Sequence, residues 1–173
     1  VPCFTLGSWF DFMNQGSIAR FVGRQHKGGP KSRGNQWLLI GPWLHGGSKG
    51  AKIAEMQFPE NAAFSMEEHM IRWFDFWLKG KANGINKDPQ VRYYHMSAEG
   101  GVESGGNNWK SAIDWPVNDR LEPLYLGAGG SLSEKQSTTR DSRTSYTSDP
   151  FHPMEIPGRS FPGARDARKF EEQ

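Results

Sequence analysis

Two short apolar runs constrain the fold of this chain more than any other feature. One lies within "VPCFTLGSWFDF" at the start of the chain, and the other is "WLLI", Trp37 to Ile40. Continuous apolar runs of this length suit strands of a parallel sheet that is covered on both faces. Between them, Ile18, Phe21 and Val22 fall at helical spacing. The order strand, helix, strand predicts an α/β fold.

The sequence after the second strand predicts another helix, followed by a region that is rich in β-strands. Ser65 and Glu68 match a capping box, an apolar stripe runs from Met66 to Trp77, and Gly80 supplies a stop. Beyond "KGKANGINKDP", short β-branched or aromatic segments alternate with Gly, Asn and Ser clusters, which is typical of an all-β domain. We therefore expect a domain boundary near residues 82 to 89. The tail from "DPFHPMEIP" onward is rich in Pro, Gly and charge and predicts loop or disorder.

Composition excludes several classes of partner. The 173-residue chain has 21 Lys and Arg against 19 Asp and Glu, and the basic residues are scattered, so we expect no nucleic-acid partner. The longest apolar run is far shorter than the roughly 20 residues of a membrane span, so we expect no membrane partner. A lone cysteine, Cys3, excludes an internal disulfide. The chain begins with Val and without a signal-like segment, so we expect it to begin inside a longer protein.

The residues with the clearest chemical potential follow the two predicted strands. Asp11 comes just after the first strand, and His45, within "GPWLHGG", comes just after the second. Parallel strands present their carboxyl ends at one edge, where ligand sites of α/β folds collect. An imidazole there can take and return a proton, and a carboxylate on its Nδ1 side would fix its tautomer. The pair predicts two thirds of a hydrolytic triad. The alternatives are that Asp11 is only a helix N-cap and that His45 is a hydrogen-bonded loop histidine.

A nucleophile and a metal site are both missing from the sequence pattern. The segment "GGSKG" has Ser48 at the centre of a G-x-S-x-G match, but it follows the histidine and no strand leads directly into it. A Gly/Ser-rich loop explains it better. The other histidines have no partners at metal-ligand spacing; they are His26, His69, His95 and His152. We therefore expect neither a metal ion nor another cofactor.

Four segments carry a resemblance to a known family: "VPCFTLGSWFDF", "LLIGPWLHGG", "MIRWFDFWLKGKANGI" and "DPQVRYYHM". In that order and spacing they resemble the second half of the catalytic domain of the cocaine esterase/X-Pro dipeptidyl-peptidase family. That family includes glutaryl-7-aminocephalosporanic acid acylases and α-amino acid ester hydrolases. The resemblance extends from about residue 1 to about residue 125.

The resemblance implies both an architecture and a set of site residues. Residues 1–85 would be the C-terminal part of an α/β-hydrolase domain, and residues 86–173 the beginning of a jelly-roll β-domain. By the family pattern Asp11 is the triad acid and His45 the triad base. The serine nucleophile and an oxyanion-binding tyrosine would lie upstream of this chain, because no segment of the 173 residues matches them.

The function implied is therefore that of a piece of a serine hydrolase acting on a small-molecule ester, amide or peptide. We expect the 173-residue chain by itself to be inactive. Two other hypotheses stay open on the sequence alone. One is a non-catalytic, β-rich module that binds a carbohydrate or a protein, and the other is a parent protein that has the fold but no serine.

Overall fold

The structure is a computed structural model that describes residues 1–48, 52–53, 56–97, 106–117, 120–138, 143 and 145–152. The described residues up to Val117 belong to one compact unit, and those that follow belong to a second. The strands are β1 (Cys3–Ser8), β2 (Gln36–Gly41), β3 (Lys52–Ile53), β4 (Met56–Gln57), β5 (Val91–His95), β6 (Asn108–Ala112), β7 (Tyr125–Leu126) and β8 (Leu132–Ser133). The helices are α1 (Asn14–Lys27) and α2 (Met66–Trp77), with 3-10 turns at Glu60–Ala62, Ile85–Lys87 and Ala128–Gly130.

A four-stranded sheet organises the first unit, in the order β1, β2, β5, β6. β1 and β2 are parallel, with Thr5 opposite Leu38, and β2 and β5 are parallel, with Leu38 opposite Val91. β6 runs antiparallel to β5. Every residue of β2 is buried. The two apolar runs are therefore adjacent parallel strands, as the sequence predicts, and the run Trp37 to Ile40 within β2 suits a strand with both faces covered.

Opposite faces of the sheet carry different clusters of buried side chains. On one face, Phe21 of α1 packs with Leu38 and Ile40, and the predicted helix positions pack around them. Trp37, one residue from Leu38, packs instead with Trp73 of α2 and with Ile85. Successive side chains of a strand point to opposite faces. The alternation along β2 therefore places α1 and α2 on opposite sides of the sheet.

The sheet continues past the boundary expected near residues 82 to 89. The segment "QVRYYHMS", expected to open a separate β-rich domain, forms β5, and its Val91 and Tyr94 are completely buried in the first unit. This unit reaches Val117 because β5 pairs with β2 and β6 pairs with β5. In the second unit, the described residues form a two-stranded antiparallel sheet of β7 and β8. The predicted tail from residue 153 onward lies outside the described residues.

Helix α2 forms where the sequence predicts it, but without the predicted capping hydrogen bond. Ser65 occupies the N-cap position without making the side-chain hydrogen bond of a capping box. Gly80, at φ +69°, takes the left-handed conformation that commonly ends helices. Of the apolar stripe, Trp73 is buried, whereas Met70 and Phe74 are about half exposed. In the described parts of the chain, each helix is too short or too polar to cross a membrane.

Candidate functional site

The ends of β1 and β2 bring Asp11 and His45 to the same edge of the sheet. Beyond the strands, the backbone N–H of Trp9 donates to the carbonyl of Gly41 at 2.8 Å. The N–H of Phe10 then donates to the carbonyl of Trp43 at 3.2 Å. These two hydrogen bonds keep the chain segments together past the sheet. Asp11 and His45 follow them directly, so their side chains meet.

The turn that carries His45 is anchored by a buried tryptophan. Trp43 is only 2% exposed, and its indole Nε1 donates to the carbonyl of Ala62 at 2.8 Å. Its ring folds back over Gly41 so closely that any Cβ at position 41 would collide with it. Gly46, at φ +74°, takes a left-handed conformation that favours glycine. The glycines of "GPWLHGG" thus let the strand end abruptly, and His45 projects at the edge.

Asp11 uses its two carboxylate oxygens for two different tasks. Oδ1 accepts a hydrogen bond from the backbone N–H of Met13 at 2.9 Å, immediately before α1 begins. Oδ2 lies 3.1 Å from Nδ1 of His45. The side chain is only 14% exposed. Asp11 is therefore a turn residue at the entrance to α1, where Met13 and not Asp11 occupies the N-cap position, and it is also the hydrogen-bond partner of His45.

His45 presents its second ring nitrogen away from the carboxylate. Its side chain is 42% exposed. No described residue hydrogen-bonds Nε2, while the ring of Phe12 lies beside the imidazole with centroids 5.1 Å apart and planes inclined at 35°. When His45 is neutral, an Asp11 carboxylate on Nδ1 favours the tautomer that carries its proton there. Nε2 then has a lone pair and can act as a base.

This arrangement has the chemistry of an acid–base pair. A neutral imidazole can remove a proton from a hydroxyl or a water molecule through Nε2. The adjacent carboxylate stabilises the imidazolium that results and holds the ring in one orientation. What the pair needs in addition is a nucleophile within hydrogen-bond reach of Nε2.

Ser48 does not supply that nucleophile in the described structure. It lies in a bend after His45, and its backbone carbonyl accepts a hydrogen bond from Phe64 at 2.7 Å. No hydrogen bond joins its side chain to His45 among the described residues. The remaining positions of "GGSKG", Lys49 and Gly50, lie outside the described residues. The geometry agrees with a loop rather than with a serine on a strand-to-helix turn.

His69 lies on α2 inside an aromatic cluster, without an acidic hydrogen-bond partner among the described residues. Its ring centroid is 4.0 Å from that of Phe4 and 5.4 Å from that of Phe64. Burial lowers the pKa of His69, because desolvation penalises the charged imidazolium, and the charge of Asp88 partly opposes this. Its Nε2 is buried and has no partner among the described residues. His69 is therefore a half-buried histidine in an aromatic cluster, and its surroundings disfavour the charged form.

Another histidine of the first unit contacts a carboxylate away from this edge of the sheet. His26, in the last turn of α1, places Nε2 3.1 Å from the carboxylate of Asp114. Both side chains are largely exposed, at 46% and 40%. The described residues include no group of three or more His, Cys, Asp or Glu side chains that could hold a metal ion. Asp11 and His45 are thus the predicted site residues that the structure brings together.

Sequence reasoning missed the aromatic neighbour of the histidine. Phe12 follows Asp11 directly, and its ring contacts that of His45 although 33 positions separate them in the chain. The signal was available only in part. A residue adjacent to a proposed acid is a natural neighbour of the base, but whether its side chain turns toward the base depends on the backbone of the turn.

Two curated relatives share sequence with most of this chain. A mycobacterial protein named "Putative serine esterase", from Mycobacterium bovis, is 29% identical over 130 residues, which is 75% of this chain and 18% of the relative. The protein of the same name from Mycobacterium tuberculosis gives the same values. This chain therefore spans less than a fifth of the length of these relatives. No family model matches the chain.

A solved structure supports the fold. An aminopeptidase from a marine sediment archaeon, Thaumarchaeota archaeon, superposes with a TM-score of 0.57 at 22% identity, covering 94% of this chain and 25% of that one. A CocE/NonD family hydrolase from Staphylococcus aureus gives a TM-score of 0.43 at 22% identity, covering 78% and 21%. The mixed α/β architecture with parallel strands is thus similar to that of the larger aminopeptidase structure.

Proposed function

We propose that this chain supplies the acid and the base of a serine hydrolase that cleaves ester or amide bonds. The observation that carries the proposal is the 3.1 Å contact between Asp11 Oδ2 and His45 Nδ1 at the carboxyl edge of two parallel strands. The resemblance to the cocaine esterase/X-Pro dipeptidyl-peptidase family supports the same roles. The similarity to proteins named as serine esterases supports the reaction class.

In this proposal His45 moves one proton through Nε2 in each half of the reaction. It takes the proton of a serine hydroxyl as the serine oxygen attacks the substrate carbonyl. It then gives that proton to the departing alcohol or amine, which leaves an acyl-enzyme. The same nitrogen next takes a proton from a water molecule as the water oxygen attacks the acyl carbon. The serine oxygen then leaves and receives that proton, which releases the acid and restores the serine. Asp11 orients the ring throughout and remains ionised.

The nucleophile in this proposal comes from chain outside these 173 residues. The chain covers 18% of the mycobacterial relatives, so their length leaves ample room for a serine on another segment. Residues 1–85 would belong to the C-terminal part of the catalytic domain, together with β5 and β6, which extend the same sheet. The later residues would begin a jelly-roll domain. The substrate would be a small-molecule ester, amide or peptide.

The first experiment tests whether the chain alone is catalytically inactive. The purified 173-residue protein is offered p-nitrophenyl butyrate, and we expect turnover no faster than the buffer reaction. Turnover that disappears in Ser48→Ala would instead identify Ser48 as a working nucleophile and contradict the proposal.

The second experiment uses the chain joined to the upstream sequence of its own protein, referred to below as the extended protein. We expect the extended protein to hydrolyse the ester and His45→Ala to lose nearly all of this activity. Since His26 also contacts a carboxylate at 3.1 Å, His26→Ala is the matched control and should keep its activity. Hydrolysis that survives in His45→Ala would overturn the assignment.

A further inference from the structure

We propose that Phe12 is a positioning residue for His45, keeping the imidazole on Asp11 in the tautomer that leaves Nε2 available as a base. The inference rests on the proposed function for its catalytic meaning, but the contact and the tautomer can be measured without catalysis. It begins from the ring contact between Phe12 and His45 at 5.1 Å.

The imidazole needs a second restraint besides its hydrogen bond. His45 is 42% exposed and follows a buried anchor, Trp43, by two residues, while the next residue, Gly46, is a conformationally permissive glycine. Its described hydrogen bond, to Asp11, is 3.1 Å long, near the upper end of the usual N–H···O range. A single hydrogen bond of this length at an exposed position leaves the ring free to turn in competition with water. A neighbouring ring limits that freedom by occupying the space.

The backbone places Phe12 where it can do this. Asp11 Oδ1 accepts the N–H of Met13 at 2.9 Å, which closes a turn around Phe12. The carbonyl of Asp11 accepts the N–H of Asn14 at 3.0 Å. Because the same short turn fixes the carboxylate and the phenyl ring, the imidazole meets both from one rigid segment. The hydrogen bond and the ring contact therefore act on His45 together.

Burial in the core does not explain the position of Phe12. Its side chain is 59% exposed, whereas Phe21, on the neighbouring helix, is completely buried. An exposed phenylalanine is ordinary by itself. Here the ring lies against the sheet-edge histidine whose Nδ1 faces an acid. The face of an aromatic ring also attracts a cation, so the contact is compatible with the imidazolium that forms during acid–base catalysis.

The contact and the tautomer are read from the ring resonances of His45 in this 173-residue chain by nuclear magnetic resonance. In the native chain above pH 7.5, we expect ring-current shifts from Phe12 and a ¹⁵N pattern with the proton on Nδ1. In Phe12→Ala the ring-current shifts disappear and the ¹⁵N values of Nδ1 and Nε2 move toward each other. Phe12→Leu, which keeps apolar bulk, should largely retain the Nδ1 proton.

The matched control is Phe74→Ala, because Phe74 is a phenylalanine of similar exposure, 49%, on α2. It should leave the His45 resonances unchanged. If Phe12→Ala removes the ring-current shifts but leaves the tautomer as in the native chain, the positioning role is wrong. The same holds if no ring-current shift is present in the native chain. If Phe12→Ala fails to fold, Phe12→Ser decides between the same outcomes, because it also removes the apolar ring.

A kinetic measurement on the extended protein separates this inference from the proposed function. Misplacing a catalytic group lowers the rate of the chemical step, so we expect Phe12→Ala to lower kcat by about 10-fold with KM changed less than about 2-fold. A native Nδ1 tautomer together with hydrolysis that does not depend on His45 would refute the proposed function alone. Hydrolysis that depends on His45 but has the same kcat in Phe12→Ala would refute the positioning role alone.

Discussion

The described residues of the first unit include two histidine–aspartate contacts of the same length in very different places. His45 and Asp11 meet at the carboxyl edge of two parallel strands, and His26 and Asp114 meet between the end of α1 and the residues after β6. Both nitrogen–oxygen distances are 3.1 Å. Distance alone therefore does not distinguish a candidate catalytic pair from a surface ion pair.

Three differences distinguish the pairs. The carboxylate of Asp11 is 14% exposed and that of Asp114 is 40% exposed. Asp11 binds the Nδ1 side of its imidazole and leaves Nε2 outward, whereas Asp114 binds Nε2 of His26. Asp11 and His45 also follow adjacent parallel strands directly, so the sheet brings their chain segments together.

The largest expected effect is the loss of hydrolysis on removing the proposed base. In the extended protein, His45→Ala should lower kcat/KM for a chromogenic ester by about 10⁴-fold or more, because the nucleophile then has no general base. His26→Ala should change it by less than about 2-fold, in the range of surface substitutions. Equal losses in the two variants would erase the distinction between the pairs.

A smaller but still large effect is expected from neutralising the proposed acid. Asp11→Asn should lower kcat by about 10²- to 10⁴-fold. The upper value is the loss of kcat that follows when the aspartate of a serine-protease triad is made neutral. An amide can donate to Nδ1 and so favours the wrong imidazole tautomer. Asp114→Asn is the control, and steady-state kinetics should show it unchanged. Full activity in Asp11→Asn would mean that the aspartate only supports the turn.

The sequence could predict the pair because each strand, and the turn after it, is recognisable from a short segment of the chain. Apolar runs identify β1 and β2, and the turn residues after each run predict where Asp11 and His45 emerge. Which further strands join the sheet cannot be predicted from such short segments. β5 was expected to open another domain because its composition is β-like, but pairing with β2 and burial of Val91 decide its place. Such long-range pairing leaves no distinct mark on one strand.

The capping box shows the same limit at a smaller scale. Ser65 and Glu68 have the right spacing, and the helix begins where expected, but the serine side chain makes no capping hydrogen bond. The packing of Trp73 against Trp37, with ring centroids 5.3 Å apart, supplies a tertiary reason for the helix. The contact of Phe12 with His45 could not be predicted either, because the direction of a side chain depends on the backbone conformation of the folded turn.

His69 sharpens the comparison because it is half-buried and has no acidic hydrogen-bond partner among the described residues. Its pKa in the folded chain lies below the ordinary value of 6.5, chiefly through desolvation. As pH falls through 6.5 toward the folded-state pKa, the unfolded chain binds more protons, so stability decreases in this window and is fully present above it. Thermal unfolding should therefore show a lower Tm at about pH 5.5 than at about pH 7.5.

The variant that isolates this effect is His69→Leu, whose Tm should fall less between the same two pH values. His26→Leu serves as its control, and its Tm should fall about as much as that of the native chain. If His69→Leu keeps the full pH dependence, the lost stability comes from other groups.

The smallest expected effect is on the stability contributed by the surface pair. Because His26 and Asp114 are largely exposed, His26→Ala should change the free energy of unfolding by at most about 1 kcal/mol. The contact should also weaken in high salt. Chemical unfolding in urea at low and high ionic strength measures both. A loss of several kcal/mol would contradict the description of His26 and Asp114 as a surface pair.

The most direct test of the central claim is a double-mutant cycle on the extended protein, with kcat/KM measured for native, Asp11→Asn, His45→Ala and the double variant. If Asp11 acts through His45, the double variant is about as slow as His45→Ala alone, because groups that work as a unit are strongly non-additive. If the two losses multiply, Asp11 and His45 contribute independently, and the account of them as one acid–base pair is contradicted.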